Sequence, residues 1–598
     1  MNGRSTALHN ADVARAADPT AEGKYSTWFG PEDAGLFGTV HVPAGGLARG
    51  AVVLCPPLGK EQVDSYRGMT LLAQKLCARG LLVLRFDYAG TGDSYGAQDA
   101  PDNVALWQRS IATAVDYVRG CGVTDVALVG LRAGALLAAS VASDVGPLTA
   151  ITLWDPVVRG RSYVHEQKAL YSVSVTQDSD VDPRVSIIGA VLHPDAAKAL
   201  GRLDTTALPS LTAPVLVATR SERADSKPIR TVVANQNADE HTLSRHDAFL
   251  EPSDFEVELP TSDIVYIAEW IADKFGADAG EVSVPLRAVS NLGTVREEIE
   301  SLGPDALFGI RTYSSECIPG GPTVVFYPTA NEHRVGPVRS WVELSRVLAA
   351  QGVSTLRFDR RGTGESGEVL DDEITRLYSD AGNEDALAAV RAAGTAPRNV
   401  MVAGMCSGSW YSSYAARELG VGSAVLLNTL DWTTKRLEFV KRSSMHTEDT
   451  GLRGKALDAL HDIGVTVKNR AQSAMPYPLW FWLGNRGLIQ VPEISLRLLE
   501  AGNVRTTVLL SPTDTAWFVD NRGPEGMERL RGKRATRRRH GGAARPAVVK
   551  SFDSGDHSLY GRDLRETVRA ELLQAAAESF DIDIVSASPP VPIGWNRL

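Results

Sequence analysis

The tetrapeptide Leu84-Arg85-Phe86-Asp87 recurs as Leu356-Arg357-Phe358-Asp359 (356 − 84 = 272), and Gly90-Thr91-Gly92 recurs at the same offset as Gly362-Thr363-Gly364. A third pair, Gly130-Leu131-Arg132-Ala133-Gly134 and Gly404-Met405-Cys406-Ser407-Gly408, is displaced by nearly the same distance (404 − 130 = 274). Three motifs in step over so long a stretch make the chain a tandem repeat of two domains and not a solenoid of short units. The length agrees, because 598 residues exceed what one hydrophobic core organises and suit two comparable domains.

Within each repeat, short Val/Leu-rich runs alternate with longer helix-like segments. The first repeat has runs at 51–55 and 81–87 with helices predicted over 66–79 and 103–119. The second has runs at 324–327 and 353–358 with helices over 338–350 and 383–393. This rhythm predicts a mostly parallel sheet with crossover helices in each half. Another strand follows each glycine-bounded pentapeptide, at 148–154 and 424–427, and each is followed by a long irregular insert, 159–208 and 433–501. The expected division is a disordered lead-in over 1–23, a first domain over 24–278, a linker rich in Gly, Ala, Asp and Ser over 279–292, and a second domain over 293–598.

A net charge of −10 supplies no basic field for nucleic acid. The five cysteines, Cys55, Cys77, Cys121, Cys317 and Cys406, have no paired spacing, which argues for a reducing compartment, hence a cytoplasmic protein, and against a disulfide or zinc framework. No run of about 18 apolar residues is present, and the lead-in has no apolar stretch, so neither a membrane span nor a signal peptide is expected. Gly90-Thr91-Gly92 and its repeat lack the Gly-Lys-Ser/Thr of a nucleotide loop, and no metal or organic cofactor is expected.

Each pentapeptide follows an apolar run, 126–129 in the first repeat and 399–403 in the second. A strand that turns sharply into a helix between flanking glycines presents its central side chain as a nucleophile. At Cys406 that side chain is a thiol beside a helix N-terminus, where thiolate is favoured. At Arg132 it is a guanidinium, which is no nucleophile. On these motifs both halves resemble α/β-hydrolase domains, and the resemblance covers nearly the whole chain after the first two dozen residues. It implies an α/β fold class: two tandem α/β-hydrolase domains, each a mostly parallel sheet flanked by helices with a lid insertion. The second half resembles members with a Gly-x-Cys-Ser-Gly elbow, the variant used by dienelactone-hydrolase-like enzymes and some thioesterase-like cyclases. The first half, with its Cys55-Pro56-Pro57-Leu58-Gly59 segment and serine-free elbow, is similar to bacterial hydrolase-like domains and reads as a degenerate copy.

In this fold the acid and then the base follow the nucleophile along the chain. Asp514 ends the strand-like segment 506–510 and is the expected acid, with Asp431 as the alternative, and His557 lies before the final helix predicted over 564–580 and is the expected base. Backbone N–H groups of Ser407 and Thr329 are the expected oxyanion hole. In the first half Pro57 stands opposite Thr329 and has no N–H, the strand over 213–219 runs into Arg220-Ser221-Glu222-Arg223, and His246 sits in polar sequence. Donor and nucleophile are both missing, so this half is expected to be a pseudo-enzyme domain. Arg132 either pairs with a ligand carboxylate or phosphate or fills the dead site with a salt bridge. A basic stretch over 529–545, including Arg537, Arg538 and Arg539, is either a solvated loop or a contact for an acyl carrier protein or a CoA thioester. The expected activity is acyl transfer from a small-molecule ester or thioester through a Cys-His-Asp triad, by a thioesterase, an esterase or an acyltransferase. The alternative is a non-catalytic ligand-binding or scaffold protein of the same fold.

Overall fold

The computed structural model describes residues 23–175, 182–244, 246–251, 257–373, 377–434, 475–538, 545–583 and 595–597. Two separate sheets carry the architecture. The first comprises β1 (Gly23–Phe29), β2 (Leu36–Val42), β3 (Ala51–Cys55), β4 (Leu82–Phe86), β5 (Val126–Leu131), β6 (Ala150–Trp154), β7 (Val215–Arg220) and β8 (Asp239–Leu243), in the order β1-β2-β4-β3-β5-β6-β7-β8. The second comprises β9 (Val289–Leu292), β10 (Val295–Leu302), β11 (Leu307–Ser314), β12 (Thr323–Tyr327), β13 (Ser354–Phe358), β14 (Val400–Met405), β15 (Ser423–Leu427), β16 (Arg505–Leu510), β17 (Val548–Phe552) and β18 (Trp595–Arg597), in the order β9-β10-β11-β13-β12-β14-β15-β16-β17-β18. In both, antiparallel strands lead into a parallel block whose first two strands in chain order, β3 and β4 or β12 and β13, are exchanged in the sheet. This is α/β-hydrolase topology, twice.

The parallel strands are apolar throughout because both faces are covered. Along β3, Val52 and Leu54 pack under the helices Lys60–Cys77 and Thr261–Ala272, while Val53 and Cys55 face the helices Asn103–Gly120 and Ala133–Val141. Along β12, Val324 and Phe326 face Trp341 and Leu572, and Val325 and Tyr327 face Ala389 and Tyr411. Alternation of period two on a doubly covered sheet thus builds two cores per half. Several helices begin a few residues from where the periodicity predicts, as the one over 383–393, which starts at Asp380, and the one over 564–580, which starts at Arg562. The one expected from 66 starts at Lys60, and the one expected from 338 starts at Ser340 after a single 3-10 turn, Pro337–Arg339. Residues 279–292 run between the halves: Gly280–Glu281 pairs with Leu47–Ala48, Val282 and Val284 are buried in the first core, and Val289 opens the second sheet.

The halves meet through reciprocal contacts. Arg85 of the first half donates to both oxygens of Glu365 (2.7 and 2.8 Å), and Arg357 of the second pairs with Asp93. Both members of the second pair lie at the repeat offset from those of the first (357 − 85 = 272; 365 − 93 = 272). Likewise Arg67 donates to the carbonyl of Gly364 at 3.2 Å, and its repeat mate Arg339 donates to the carbonyl of Gly92 at 2.8 Å. An interface in which i meets j and the mate of i meets the mate of j is that of a two-fold dimer, here contained in one chain. At its centre Arg334 reaches Asp93 (2.8 Å) and Asp359 (2.7 Å), with all three side chains fully buried. Burial opposes ionisation of Asp93, but the guanidinium groups of Arg334 and Arg357 hold its carboxyl below the usual carboxylate range.

Candidate active site

Cys406 ends β14 with φ 51° and ψ −119°, a backbone conformation that non-glycine residues seldom adopt and that costs about 1–3 kcal/mol. Its N–H is anchored on the carbonyl of Leu427 at 3.0 Å. The turn requires the flanking glycines. A Cβ at Gly404 would lie 2.3 Å from the Gly408 carbonyl oxygen, and one at Gly408 would lie 2.8 Å from that of Pro328. The thiol stands at the N-terminus of the helix Ser407–Leu419, and the residue is 6% exposed.

Two stretches more than a hundred residues downstream converge on this turn. Asp514 sits in the first turn of the helix Pro512–Asp520, directly after β16, and its side chain is fully buried. Ser511 donates its hydroxyl to Oδ2, while Oδ1 is hydrogen-bonded to Nδ1 of His557 at 2.8 Å. His557 lies between β17 and the helix Arg562–Phe580. Asn428 clamps both: its Nδ2 donates to the His557 carbonyl at 2.6 Å, and its Oδ1 accepts from the Ser511 N–H at 2.8 Å. Sequence reasoning missed Asn428. Its one signal is position, directly after β15 at φ 45°, where asparagine is better tolerated than most residues.

Burial disfavours the charged imidazole of His557, but hydrogen bonds to Asp514 and to Cys406, together with their charges, outweigh it and raise the group to about 10. A pKa raised on folding contributes stability that is complete below the unfolded value near 6.5 and is lost as pH rises through about 10. Asp514→Asn is therefore expected to lower the melting temperature at pH 7, and the gap to the parent protein should narrow steadily as thermal scans approach pH 10. A gap independent of pH would remove the ion pair from the account.

The thiol and imidazole open into a cavity of about 290 Å³ with walls from both halves. The second half contributes Thr329, Glu332 and Tyr560 beside Cys406 and His557; the first contributes Leu58, Lys60, Asp64, Trp107 and the hairpin residues Ala190 and Leu192. That hairpin, Val185–Ile187 with Ala190–Leu192, belongs to the insert of the first half, and the insert is tied across by Tyr171 to the Tyr560 carbonyl (3.1 Å) and by Arg184 to Glu566 (2.7 Å). The first half's insertion thus covers the other half's reactive turn.

The first half retains the turn without the thiol. Arg132 has φ 51° and ψ −117°, and Cβ atoms at Gly130 or Gly134 would lie 2.4 Å or less from backbone. Arg132 is buried and bound to Glu61 (3.0 Å) and Asp155 (3.3 Å). Asp155 also receives Arg220 (3.0 Å) and Arg223 (2.7 Å). His246 lies 3.8 Å from Asp155 and makes no hydrogen bond through either ring nitrogen among the described residues; burial, abetted by Arg220 and Arg132, lowers it to about 4. Of the two readings of Arg132, the geometry is that of the salt bridge: its charge is spent on Glu61 and Asp155, and it lines no ligand cavity with Cys406.

Of the other expected residues, Ser407 is the first residue of the elbow helix, and its hydroxyl accepts from the N–H of Ala330 at 2.9 Å, which ties the Thr329 loop to the elbow. Asp431 accepts from the N–H of Thr433 and lies outside the contact with His557. Arg537 and Arg538 end the helix Gly523–Arg538, and Arg539 lies outside the described residues. Among the described residues no group of His, Cys, Asp and Glu is arranged for a metal, and no helix is long and apolar enough to cross a membrane.

No family model and no curated protein matches the chain. Among solved structures it is similar to Est1E from Butyrivibrio proteoclasticus with ferulic acid bound (15% identity, over 41% of this chain and 96% of that one, TM-score 0.32). It is also similar to a proline iminopeptidase from Mycobacterium smegmatis (15% identity, 42% and 98%, TM-score 0.31) and to XC6422 from Xanthomonas campestris, a member of the α/β serine hydrolases without a lid (15%, 42% and 93%, TM-score 0.28). The fold assignment rests on the two strand orders given above.

Proposed function

We propose that the protein is an acyl-transfer enzyme in which Cys406 is the nucleophile, His557 the acid and base, and Asp514 the group that orients and charges the imidazole. The observation that carries this reading is the imidazole held at 2.8 Å by a buried carboxylate and facing a thiol on a strained turn at a cavity. The sulfur attacks the carbonyl of an ester or thioester, so that a C–S bond forms while the oxygen charge falls between the N–H groups of Ser407 and Thr329. The bond to the leaving group then breaks, and His557 donates its proton to the departing oxygen or sulfur. Water or another nucleophile next gives its proton to His557, attacks the acyl carbon and releases the thiol. Thiols exchange readily with thioesters, which favours a thioester donor, carried by CoA or an acyl carrier protein.

The first half, on this reading, has lost its chemistry and serves as a wall of the other half's site. Incubation with short acyl thioesters followed by intact-mass measurement is expected to add one acyl group per chain, on the peptide that contains Cys406. An unmodified mass with every donor, together with no turnover, contradicts the reading.

A further inference from the structure

The cavity over Cys406 holds a carboxyl that the triad does not use. Glu332 lies three residues after Thr329, and its Oε2 is sealed from solvent with no hydrogen-bond partner among the described residues. A buried carboxyl oxygen without a partner is costly unless an occupant completes it.

The groups around it divide unevenly. Asp64, from the opposite half, accepts from Lys60 and from Asn331 Nδ2 (3.1 Å), so the charges of Lys60 and Asp64 cancel locally. His557 is balanced by Asp514. Arg339 also lines the cavity, but its guanidinium donates to the carbonyls of Gly92, Ser94 and Gly96. Glu332 is the ionisable group left without an ion-pair partner of its own among these. Burial, and then the charge of Asp64, push it up to about 8. The neighbouring hydroxyl of Tyr560 feels the same excess: burial raises it first, and Glu332, Asp64 and Asp556 raise it further. The rest of the wall is largely apolar, with Leu58, Val63, Trp107 and Leu192. A small apolar chamber with one unmatched carboxyl and a second carboxylate nearby suits a short chain that ends in a cation.

We propose that the acyl group transferred to Cys406 carries a primary ammonium, held by Glu332 at the boundary between the two halves. This deepens the acyl-transfer reading and rests on it. Because Glu332 belongs to the loop that offers the Thr329 N–H, its carboxyl is fixed relative to the acyl carbonyl and not to the departing group. When the chain enters as the free amine, it takes the proton of Glu332, and the resulting ammonium–carboxylate pair is neutral overall. The half that lost its own nucleophile supplies Asp64 and most of the apolar wall, which gives it a part in choosing the substrate.

The test compares three thioesters of N-acetylcysteamine that differ only at the chain end: 3-aminopropanoyl, the uncharged butanoyl, and the anionic succinyl. The expected kcat/KM for 3-aminopropanoyl exceeds that for butanoyl by about tenfold or more, with succinyl the poorest. In Glu332→Gln the ratio of 3-aminopropanoyl to butanoyl should fall to about one, and Glu332→Asp should restore part of it. Equal or better turnover of butanoyl or succinyl by the parent protein overturns the ammonium assignment and leaves acyl transfer standing. A preference that survives Glu332→Gln overturns the role of Glu332. Failure of all three donors to acylate Cys406 overturns the acyl-transfer reading, and this inference with it.

Discussion

Replacing Cys406 with alanine is expected to lower turnover of an acyl thioester by at least about 10⁴-fold and to abolish the covalent adduct. The size follows from the pathway. Without the sulfur there is no acyl-enzyme, and the residual rate comes only from binding and from the N–H groups of Ser407 and Thr329. His557→Ala should lose nearly as much, and the double variant little more than either, because residues that act as one unit do not add. Asp514→Asn keeps a hydrogen-bonding side chain against Nδ1 but removes the carboxylate whose hydrogen bond and charge, together with those of Cys406, raise the imidazole to about 10, so a loss on the order of 10⁴ is expected there as well. Cys406→Ser distinguishes a structural thiol from a reacting one: it is nearly isosteric, so folding should be unchanged while turnover falls. Steady-state kinetics on one thioester with the five variants reads all of this, and full activity in Cys406→Ala would contradict it.

The second large effect concerns stability. Asp93→Ala leaves the guanidinium groups of Arg334 and Arg357 buried without their shared carboxylate, and breaking one side of such a pair costs about 3–5 kcal/mol. The exposed pair Arg79–Glu269, at 3.0 Å, is the contrast, because surface ion pairs contribute about 0–1 kcal/mol. Thermal scans should therefore show a large drop for Asp93→Ala and almost none for Glu269→Ala. The drop has a functional side. Asp93 lies in the first half and Arg357 in the second, so loosening their contact loosens the wall over Cys406, and the acylation rate should fall with stability. Equal melting temperatures for the two variants would contradict the internal-dimer account.

The parts of this architecture that the sequence made legible are those governed by local geometry. The turn at Cys406 can be read from Gly404 and Gly408, because any Cβ there meets backbone, and the same argument explains why Gly130 and Gly134 persist around an arginine. Asp514 and His557 could be singled out because each lies shortly after a strand of the parallel block, β16 or β17. What was not legible depends on contacts between distant residues. The repeat offset gives the spacing of Arg85 and Arg357 but not that each reaches across to Glu365 and Asp93. Asn428, which joins the acid turn to the base loop, looks like any strand-end asparagine. Asp155 was invisible as the shared partner of Arg132, Arg220 and Arg223 because these come from two separate segments, the first elbow and the turn after β7. Glu332 and Asp64 belong to different halves and meet only in the folded cavity.

The account turns on the reactivity of one thiol, and a limiting dose of iodoacetamide tests it most directly. Burial pushes the thiols of Cys55 and Cys121 up, and Cys77 and Cys317 are half-buried. Peptide mapping after partial labelling at pH 7 is expected to find Cys406 carbamidomethylated well ahead of the other four, with loss of activity in proportion. Labelling of Cys77 or Cys317 first, with Cys406 untouched and activity unchanged, would contradict the account.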